Sequence, residues 1–137
     1  MAPICYRFSM TFLIVDDSRT ARNLIKNYVS EIKTLHPYRF IEAESAETAL
    51  LALQANHIEF VLLDWNLSSK ITGLDILKEI RKIEKYKKIP IFMITSESDK
   101  VHVIESLKCG ANDFIAKPID QKAFADKVYK LIIGMKA

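Results

Sequence analysis

The hydrophobic and polar positions of this chain follow two alternating periods along most of its length. Mainly apolar runs typical of buried strands begin at Thr11, Phe60 and Ile89, the last being IPIFMIT at residues 89–95,. The segment YRFIEA at residues 38–43 alternates apolar and polar positions, as expected of an edge strand, and DFIAKP at residues 113–118 supplies a fifth strand,. Apolar residues at helical spacing follow each run,. The pattern therefore predicts five β/α units in series.

Candidate caps indicate where the helices begin and end. Serines at positions 18 and 45 are expected to cap the first two helices, and Ser98 or Asp99 to open the fourth,. The first helix is predicted to continue to Pro37, and Gly110 to end the fourth in a left-handed conformation,. The third helix is expected to turn Leu74, Leu77, Ile80 and Ile83 toward the core. The fifth helix is expected to do so with Phe124, Val128, Leu131 and Ile132.

Repeated β/α units imply right-handed crossovers and a parallel sheet covered by helices on both faces. The predicted fold class is thus α/β, a doubly wound (βα)5 sheet. If the strand order is 2-1-3-4-5, strands one and three are neighbours, and their carboxyl ends lie at the same edge of the sheet.

Composition excludes several classes of protein. The chain has 137 residues, half of them apolar, which suits one domain, and its net charge of +3 does not favour nucleic acid as a partner,. Cys5 and Cys109 lack metal-ligand or disulfide spacing, and no apolar run reaches the length of a membrane span,. A cytoplasmic protein without membrane insertion is expected. Residues 1–9 are interpreted as an N-terminal extension of a domain at 10–137.

Polar residues end four of the five predicted strands. Asp16 and Asp17 follow the first strand, Asp64 ends the third, Thr95 the fourth and Lys117 the fifth. Three carboxylates in one cleft repel each other unless a hard cation such as Mg²⁺, which prefers oxygen ligands, offsets their charge. A carboxylate beside Mg²⁺, an ammonium group and a hydroxyl is suited to attack a phosphoryl group, and Asp64 is the expected nucleophile.

These residues resemble the receiver domain of two-component response regulators, especially the single-domain chemotaxis type, which has a flavodoxin-like fold. The resemblance covers residues 10–133, and its motifs are VDDS at 15–18, LLDWN at 62–66, ITSE at 94–97 and DFIAKP at 113–118. It implies that Asp64 is phosphorylated on its carboxylate. Asp17 would bind Mg²⁺ directly, Asp16 through water, and the backbone carbonyl of Asn66 would complete the protein ligands.

The resemblance also implies a switch. Lys117 would contact the phosphoryl group, Thr95 would move toward it, and the ring of Phe114 would turn inward. Asn66 and Glu97 lie at the positions that flank the attacking water, so rapid self-dephosphorylation is expected. The bond before Pro118 is expected to be cis.

The loop after Asp64 departs from the family pattern. Ser68 stands where the family usually has proline, and Gly73 falls nine residues after Asp64, so the loop is about one residue longer. This difference is expected to alter loop shape or partner contacts more than phosphoryl chemistry.

The implied partners are a sensor histidine kinase or phosphotransfer protein and a separate downstream target, with a phosphorylation-dependent homodimer as a further possibility. The responsive surface would be helix four, strand five and helix five. The chain is expected not to be an enzyme beyond its own phosphorylation and dephosphorylation.

Other interpretations stay open. An aspartate-nucleophile phosphatase would need a second Asp separated by one position, where this chain has Ser18 and Arg19. A flavodoxin-like cofactor binder is disfavoured because Asp16 and Asp17 would repel a phosphate, and a third alternative is a phosphorylation-independent adaptor. Trp65 is expected to be partly exposed beside the site, and three dispersed histidines to lie at the surface: His36, His57 and His102. The charged segment IRKIEKYKK is interpreted as a solvated helix end, with a partner surface as the alternative.

Overall fold

The computed structural model describes residues 10–32, 37–67, 70–96 and 100–136. Five strands and five helices alternate along the chain. They are β1 (Met10–Val15), α1 (Arg19–Ser30), β2 (Tyr38–Ala43), α2 (Ala46–Ala55), β3 (Phe60–Asp64), α3 (Gly73–Lys82), β4 (Ile91–Ser96), α4 (Lys100–Lys108), β5 (Asp113–Lys117) and α5 (Gln121–Lys136). A 3₁₀ turn, Glu84–Tyr86, follows α3.

All strand pairs are parallel, and the strand order is β2-β1-β3-β4-β5, which confirms the predicted topology. Strand β2 lies at one edge and has a largely half-buried pattern, as its alternating sequence indicated. The other edge strand is β5.

Side chains alternate between the two faces of the sheet because successive residues of a strand point in opposite directions. Leu13 and Val15 of β1 pack on the side of α2 and α3, in one buried cluster. Phe12 and Ile14 pack on the side of α1 and α5, in a second cluster. Helices therefore cover both faces, and only the ends of the strands are open for a binding site.

Local capping explains where several helices begin. Ser45 and Thr48 form a reciprocal capping box at α2, and Thr72 and Asp75 form another at α3,. The Ser18 hydroxyl accepts a hydrogen bond from the backbone N–H of Ala21 at α1,. The predicted opening residues of α4 lie outside the described residues.

The prediction that the first helix continues to Pro37 was wrong. Helix α1 ends at Ser30, and the backbone N–H of Glu31 bonds back to the carbonyl oxygens of Asn27 and Val29. The N–H of Ile32 also bonds to the carbonyl of Val29, which tightens the last turn and leaves Ile32 buried,. Residues 33–36, including His36, lie outside the described residues.

The inner face of α3 differs from the prediction at two positions. Ile76 is buried, whereas Ile83 is 38% exposed because α3 ends at Lys82 and Ile83 has an extended backbone. Three core residues of α5 are confirmed, and Leu131 is partly buried against them. Gly110 has φ +107°, the left-handed conformation expected after α4,. Within the described part of the chain, none of the helices has both the length and the apolarity needed to cross a membrane.

Candidate functional site

The polar strand ends meet at one edge of the sheet. Val15 of β1 pairs with Leu63 of β3, so Asp16 lies level with Asp64. Thr95 of β4 pairs with Ala116, the residue before Lys117. The parallel register therefore brings together the residues that the sequence placed at separate strand ends.

Three carboxylates form the acidic part of the site. Ligand oxygens of Asp16, Asp17 and Asp64 all lie within 4.8 Å of one another. Asp16 and Asp64 are 1% and 3% exposed, whereas Asp17 is exposed to solvent. Two buried carboxylates at this separation destabilise each other when both are ionised.

Few groups of the protein offset the negative charge of the two buried carboxylates, Asp16 and Asp64. Asp16 Oδ1 accepts a 2.8 Å hydrogen bond from the backbone N–H of Ser18, and Asp64 Oδ1 accepts a 3.3 Å bond from that of Asn66. Lys117 Nζ lies 3.4 Å from Asp64 Oδ2 and 3.5 Å from Asp16 Oδ2. Both distances exceed those of strong charge-assisted bonds, so a single ammonium is shared loosely between two carboxylates.

The pKa of Asp64 is raised from 3.8 to about 6. Burial contributes most to this shift, followed by the charge of Asp16, while Lys117 and the backbone N–H of Asn66 act in the opposite direction. The protein alone thus holds an ionised Asp64 at a free-energy cost.

The donor set fits a hard divalent cation. It consists of carboxylate oxygens, the ligands that Mg²⁺ prefers. Asp16 Oδ2 is buried and has no hydrogen-bond partner among the described residues, so it has an acceptor site to offer. A cation would supply the positive charge that Lys117 alone does not.

Thr95 brings a hydroxyl to the same edge. Its side chain is 2% exposed, and no described residue makes a hydrogen bond to Oγ1. A buried hydroxyl without a partner is costly, which indicates that a ligand or another conformation of the site uses it.

Phe114 lies half-buried on β5, and the ammonium of Lys127 lies 4.3 Å from the centre of its ring. Lys127 Nζ also donates to the Phe114 carbonyl at 2.8 Å and pairs with Asp113 at 3.3 Å. The contact between Lys127 and Phe114 was not predicted from the sequence. The position of Lys127 near the end of the second turn of α5 was the one feature of the sequence that could have indicated it. The peptide bond between Lys117 and Pro118 is cis.

Close backbone packing explains Gly73. Its N–H donates to the Trp65 carbonyl at 2.8 Å, and a Cβ at this position would lie 2.2 Å from the Asp64 carbonyl oxygen. Any larger residue would therefore displace the backbone that carries Asp64. Ser68 and Glu97, which were also singled out in the sequence, lie outside the described residues.

The expectation that Trp65 is partly exposed was wrong. Trp65 is 5% exposed because it packs into the core cluster on the side of α2 and α3 and because His102 of α4 stacks on it, with ring centroids 3.9 Å apart and planes at 13°. His102 is accordingly half-buried. Sequence reasoning also missed Arg22, which donates to the backbone carbonyl of Asp16 at 2.6 Å and pairs with Glu42.

Comparison with known proteins gives consistent results. The model of the response regulator receiver domain matches residues 12–129. The chain is 40% identical over 126 residues to chemotaxis protein CheY1 of Helicobacter pylori, a match that covers 91% of this chain and 98% of that protein. It is 33% identical over 122 residues to chemotaxis protein CheY of Pseudomonas aeruginosa, with 89% and 95% coverage.

Solved structures show the same fold. A response regulator from Chloroflexus aurantiacus superimposes with a TM-score of 0.83 at 28% identity, covering 91% of this chain and 98% of that one. The family match spans most of the chain and includes every strand end of the acidic site. This chain therefore belongs to the response regulator receiver domain family of two-component signalling.

Proposed function

We propose that this receiver domain is a phosphorylation-controlled signalling switch and that Asp64 is its phosphoacceptor. One observation carries the proposal: Asp64 lies buried at the end of the central strand, in contact with Lys117 and within 4.8 Å of two further carboxylates. Asp16 is buried too, but it accepts a shorter backbone hydrogen bond, 2.8 Å from the Ser18 N–H, than Asp64 accepts from the Asn66 N–H at 3.3 Å. Asp17 is exposed. Residues 10–137 would form the domain, with 1–9 as an extension.

The reaction transfers a phosphoryl group from a donor to Asp64. A carboxylate oxygen of Asp64 forms a bond to phosphorus, and the bond from phosphorus to the donor breaks, so the donor leaves with the electron pair. The donor is a phosphohistidine of a sensor kinase or phosphotransfer protein. Lys117 Nζ, already 3.4 Å from Asp64 Oδ2, is placed to donate to a phosphoryl oxygen,.

Mg²⁺ would be held by Asp16, Asp17, Asp64 and the backbone carbonyl of Asn66. When bound, the ion offsets negative charge on the carboxylates and on the phosphoryl group. The unused acceptor capacity of Asp16 Oδ2 supports this assignment. The carboxylates themselves position the acceptor oxygen of Asp64 and keep the pocket polar.

Thr95 and Phe114 would convert phosphorylation into a change of surface. The hydroxyl of Thr95, which has no hydrogen-bond partner among the described residues, would donate to a phosphoryl oxygen, and its inward movement would leave space for the Phe114 ring. Because Phe114 lies on β5 and its ring contacts Lys127 of α5, its rotation would alter the surface formed by α4, β5 and α5. That surface would bind a separate downstream target.

Dephosphorylation would be a hydrolysis in which water attacks phosphorus and the Asp64 carboxylate is released. Asn66 is exposed at the mouth of the site, two residues after Asp64, and Glu97 is its proposed counterpart. Substituting both residues is expected to lengthen the lifetime of the phosphorylated protein, measured by loss of the phosphoryl group over time. An unchanged lifetime would contradict this role.

The curated relatives are named chemotaxis proteins, which supports a target in a motility pathway. Action in the cytoplasm, where histidine kinases expose their catalytic domains, belongs to the same proposal. A phosphorylation-dependent homodimer stays a prediction, and sedimentation with and without phosphorylation would test it.

The direct test is intact mass after incubation with acetyl phosphate. We expect the wild type to gain one phosphoryl group in Mg²⁺ but not in EDTA, and Asp64→Asn to gain none in either. No gain in the wild type would favour a phosphorylation-independent adaptor. Equal gain in both proteins would mean that another residue accepts the phosphoryl group.

A further inference from the structure

A concentration of positive charge lies at the edge of the sheet opposite the phosphoacceptor. Arg81 is near the carboxyl end of α3, Lys87 and Lys88 precede β4, and Lys108 ends α4. Since β4 and β5 begin here and end at the acidic site, the two charged regions lie at opposite ends of these strands. We call Arg81, Lys87, Lys88 and Lys108 the basic edge.

The charge is local to this part of the chain. Residues 81–88 contain five Lys or Arg residues and one carboxylate. The net charge of this segment, 5 − 1 = +4, exceeds the net charge of +3 of the whole protein. The remainder of the molecule is therefore slightly acidic. This concentration is what distinguishes the segment from an ordinary solvated helix end.

The side chain of Arg81 is held in place at the basic edge by several hydrogen bonds. Its guanidinium donates twice to the Gly110 carbonyl, at 2.7 and 3.0 Å, and once to the Tyr86 carbonyl at 2.8 Å. A further bond at 3.0 Å goes to Asn112 Oδ1, which also accepts from the N–H of Ile91. All of these acceptors are neutral, so the half-buried charge of Arg81 is solvated by dipoles and has no counter-ion among the described residues,.

The side chains of the basic edge surround an open cavity of about 520 Å³. Its other lining residues are Cys109, Gly110 and Asn112, so none of the residues lining it is a carboxylate. Lys87 approaches Glu84 only at 4.0 Å, and Glu84 is almost fully exposed. In the described part of the chain, Lys88 and Lys108 are exposed and take part in no ion pair that would offset their charge.

A mainly apolar cavity of about 340 Å³ adjoins the basic edge through Lys88, which lines both. Its apolar wall is formed by Ile58, Tyr86, Ile89 and Pro90. The polar residues that complete the lining include one carboxylate and two ammonium groups: Asn56, His57, Glu59, Lys85 and Lys88. Tyr86 is buried, and its hydroxyl donates to the Leu53 carbonyl, so this donor is already used within the protein.

We propose that the basic edge and the adjoining apolar cavity dock an acidic segment of a partner protein that carries an apolar side chain among its carboxylates. Charge complementarity places the carboxylates beside Lys87, Lys88 and Lys108, and the apolar side chain fills the space against Ile89. A nucleic acid would cover the basic edge but leave the apolar wall of Ile58, Ile89 and Pro90 without a matching group, whereas the apolar side chain of a protein segment fits that wall. The site is independent of the phosphoacceptor chemistry, so either proposal can fail without the other.

The test uses a short fluorescent peptide of glutamates with a central leucine, titrated with the full chain and followed by anisotropy. We expect saturable binding that weakens as salt is raised. The triple variant Lys87→Gln/Lys88→Gln/Lys108→Gln should bind about tenfold more weakly or worse, from three lost surface ion pairs. Replacing the leucine of the peptide by serine should also weaken binding.

The matched control removes the same charge elsewhere. Lys78, Lys122 and Lys130 are exposed on α3 and α5 and take part in no ion pair among the described residues. Their triple glutamine variant should bind the peptide as the wild type does. If both variants bound the peptide equally weakly, the weakening would be due to the net charge of the protein and the proposal would be overturned.

Backbone amide chemical shifts locate the peptide. Perturbations should cluster at residues 85–90 and 109–112, around the two cavities. Perturbations centred on α4 and α5, absence of binding at low salt, indifference to the leucine, or tighter binding of a single-stranded oligonucleotide than of the peptide would each overturn the proposal. Intact-mass phosphorylation of the Lys87/Lys88/Lys108 variant should equal that of the wild type.

Discussion

Replacing Asp64 with asparagine should stabilise the metal-free protein at neutral pH. The pKa of Asp64 is about 6 in the folded state, against 3.8 for an unperturbed carboxyl. A difference of about two pH units corresponds to about 3 kcal/mol of unfavourable free energy when the carboxylate is ionised. The amide keeps an acceptor for the Asn66 N–H but loses the attraction to Lys117, so we expect a net gain of about 1–2 kcal/mol.

The pH dependence follows from the direction of the shift. The folded state binds the Asp64 proton more tightly than the unfolded state does. The contribution of Asp64 to the free energy of unfolding is therefore most favourable below about pH 4, and this contribution is lost as the pH rises through about 6,. The advantage of Asp64→Asn should therefore be full at pH 7.5 and should shrink toward pH 4.

Urea unfolding in EDTA measures this difference, and a gain of this size raises the midpoint by roughly 1 M or less. Mg²⁺ at about a hundred times its dissociation constant should stabilise the wild type by about 2.7 kcal/mol and the variant by less. The difference in stability between the two proteins should therefore disappear or change sign. Asp126→Asn removes an exposed carboxylate of α5 and serves as the control. A variant that is no more stable than the wild type in EDTA at pH 7.5, or whose advantage does not depend on pH, would refute the reasoning.

Three further predictions concern the same edge of the sheet. Gly73→Ala should cost about 1–3 kcal/mol or more in urea unfolding and should impair phosphorylation, because its Cβ would meet the Asp64 backbone, whereas Gly134→Ala, with open space around it, should not destabilise the fold,. Thr95→Val should leave unfolding stability unchanged or raise it by about 1 kcal/mol, since a buried hydroxyl without a described partner is removed, and a clear loss of stability would show that the hydroxyl is bonded,. The fluorescence of Trp65, the only tryptophan, should change on Mg²⁺ titration, and Asp17→Ala should shift that titration to higher Mg²⁺; an unaltered titration would exclude Asp17 as a ligand.

The sheet topology and the acidic edge were predictable because both depend on residue order. An apolar run that ends in a carboxylate, as at Leu63 and Asp64, identifies both a buried strand and the edge at which it stops. Parallel pairing then places the strand ends side by side, which the register of Val15 with Leu63 shows. The predictable part of the site is the part carried by strand ends.

Other features depend on packing between distant segments. Trp65 is buried because it packs into the core cluster on the side of α2 and α3 and because His102, in a helix that begins beyond the next strand, stacks on its indole. The end of α1 at Ser30 depends on a tight turn that buries Ile32, while the apolar spacing continues beyond it. The cluster of basic side chains around Arg81 joins the end of α3 to residues near β5, a proximity that only the fold creates.

The central claim is that Asp64 itself carries the phosphoryl group, and reductive trapping tests it most directly. Borohydride reduces an acyl phosphate to an alcohol and leaves free carboxylates unchanged, so a phosphorylated aspartate becomes homoserine. After treatment with acetyl phosphate and Mg²⁺, peptide mapping should find homoserine at position 64 and aspartate at positions 16 and 17. Homoserine at position 16 or 17, with aspartate intact at 64, would contradict the account.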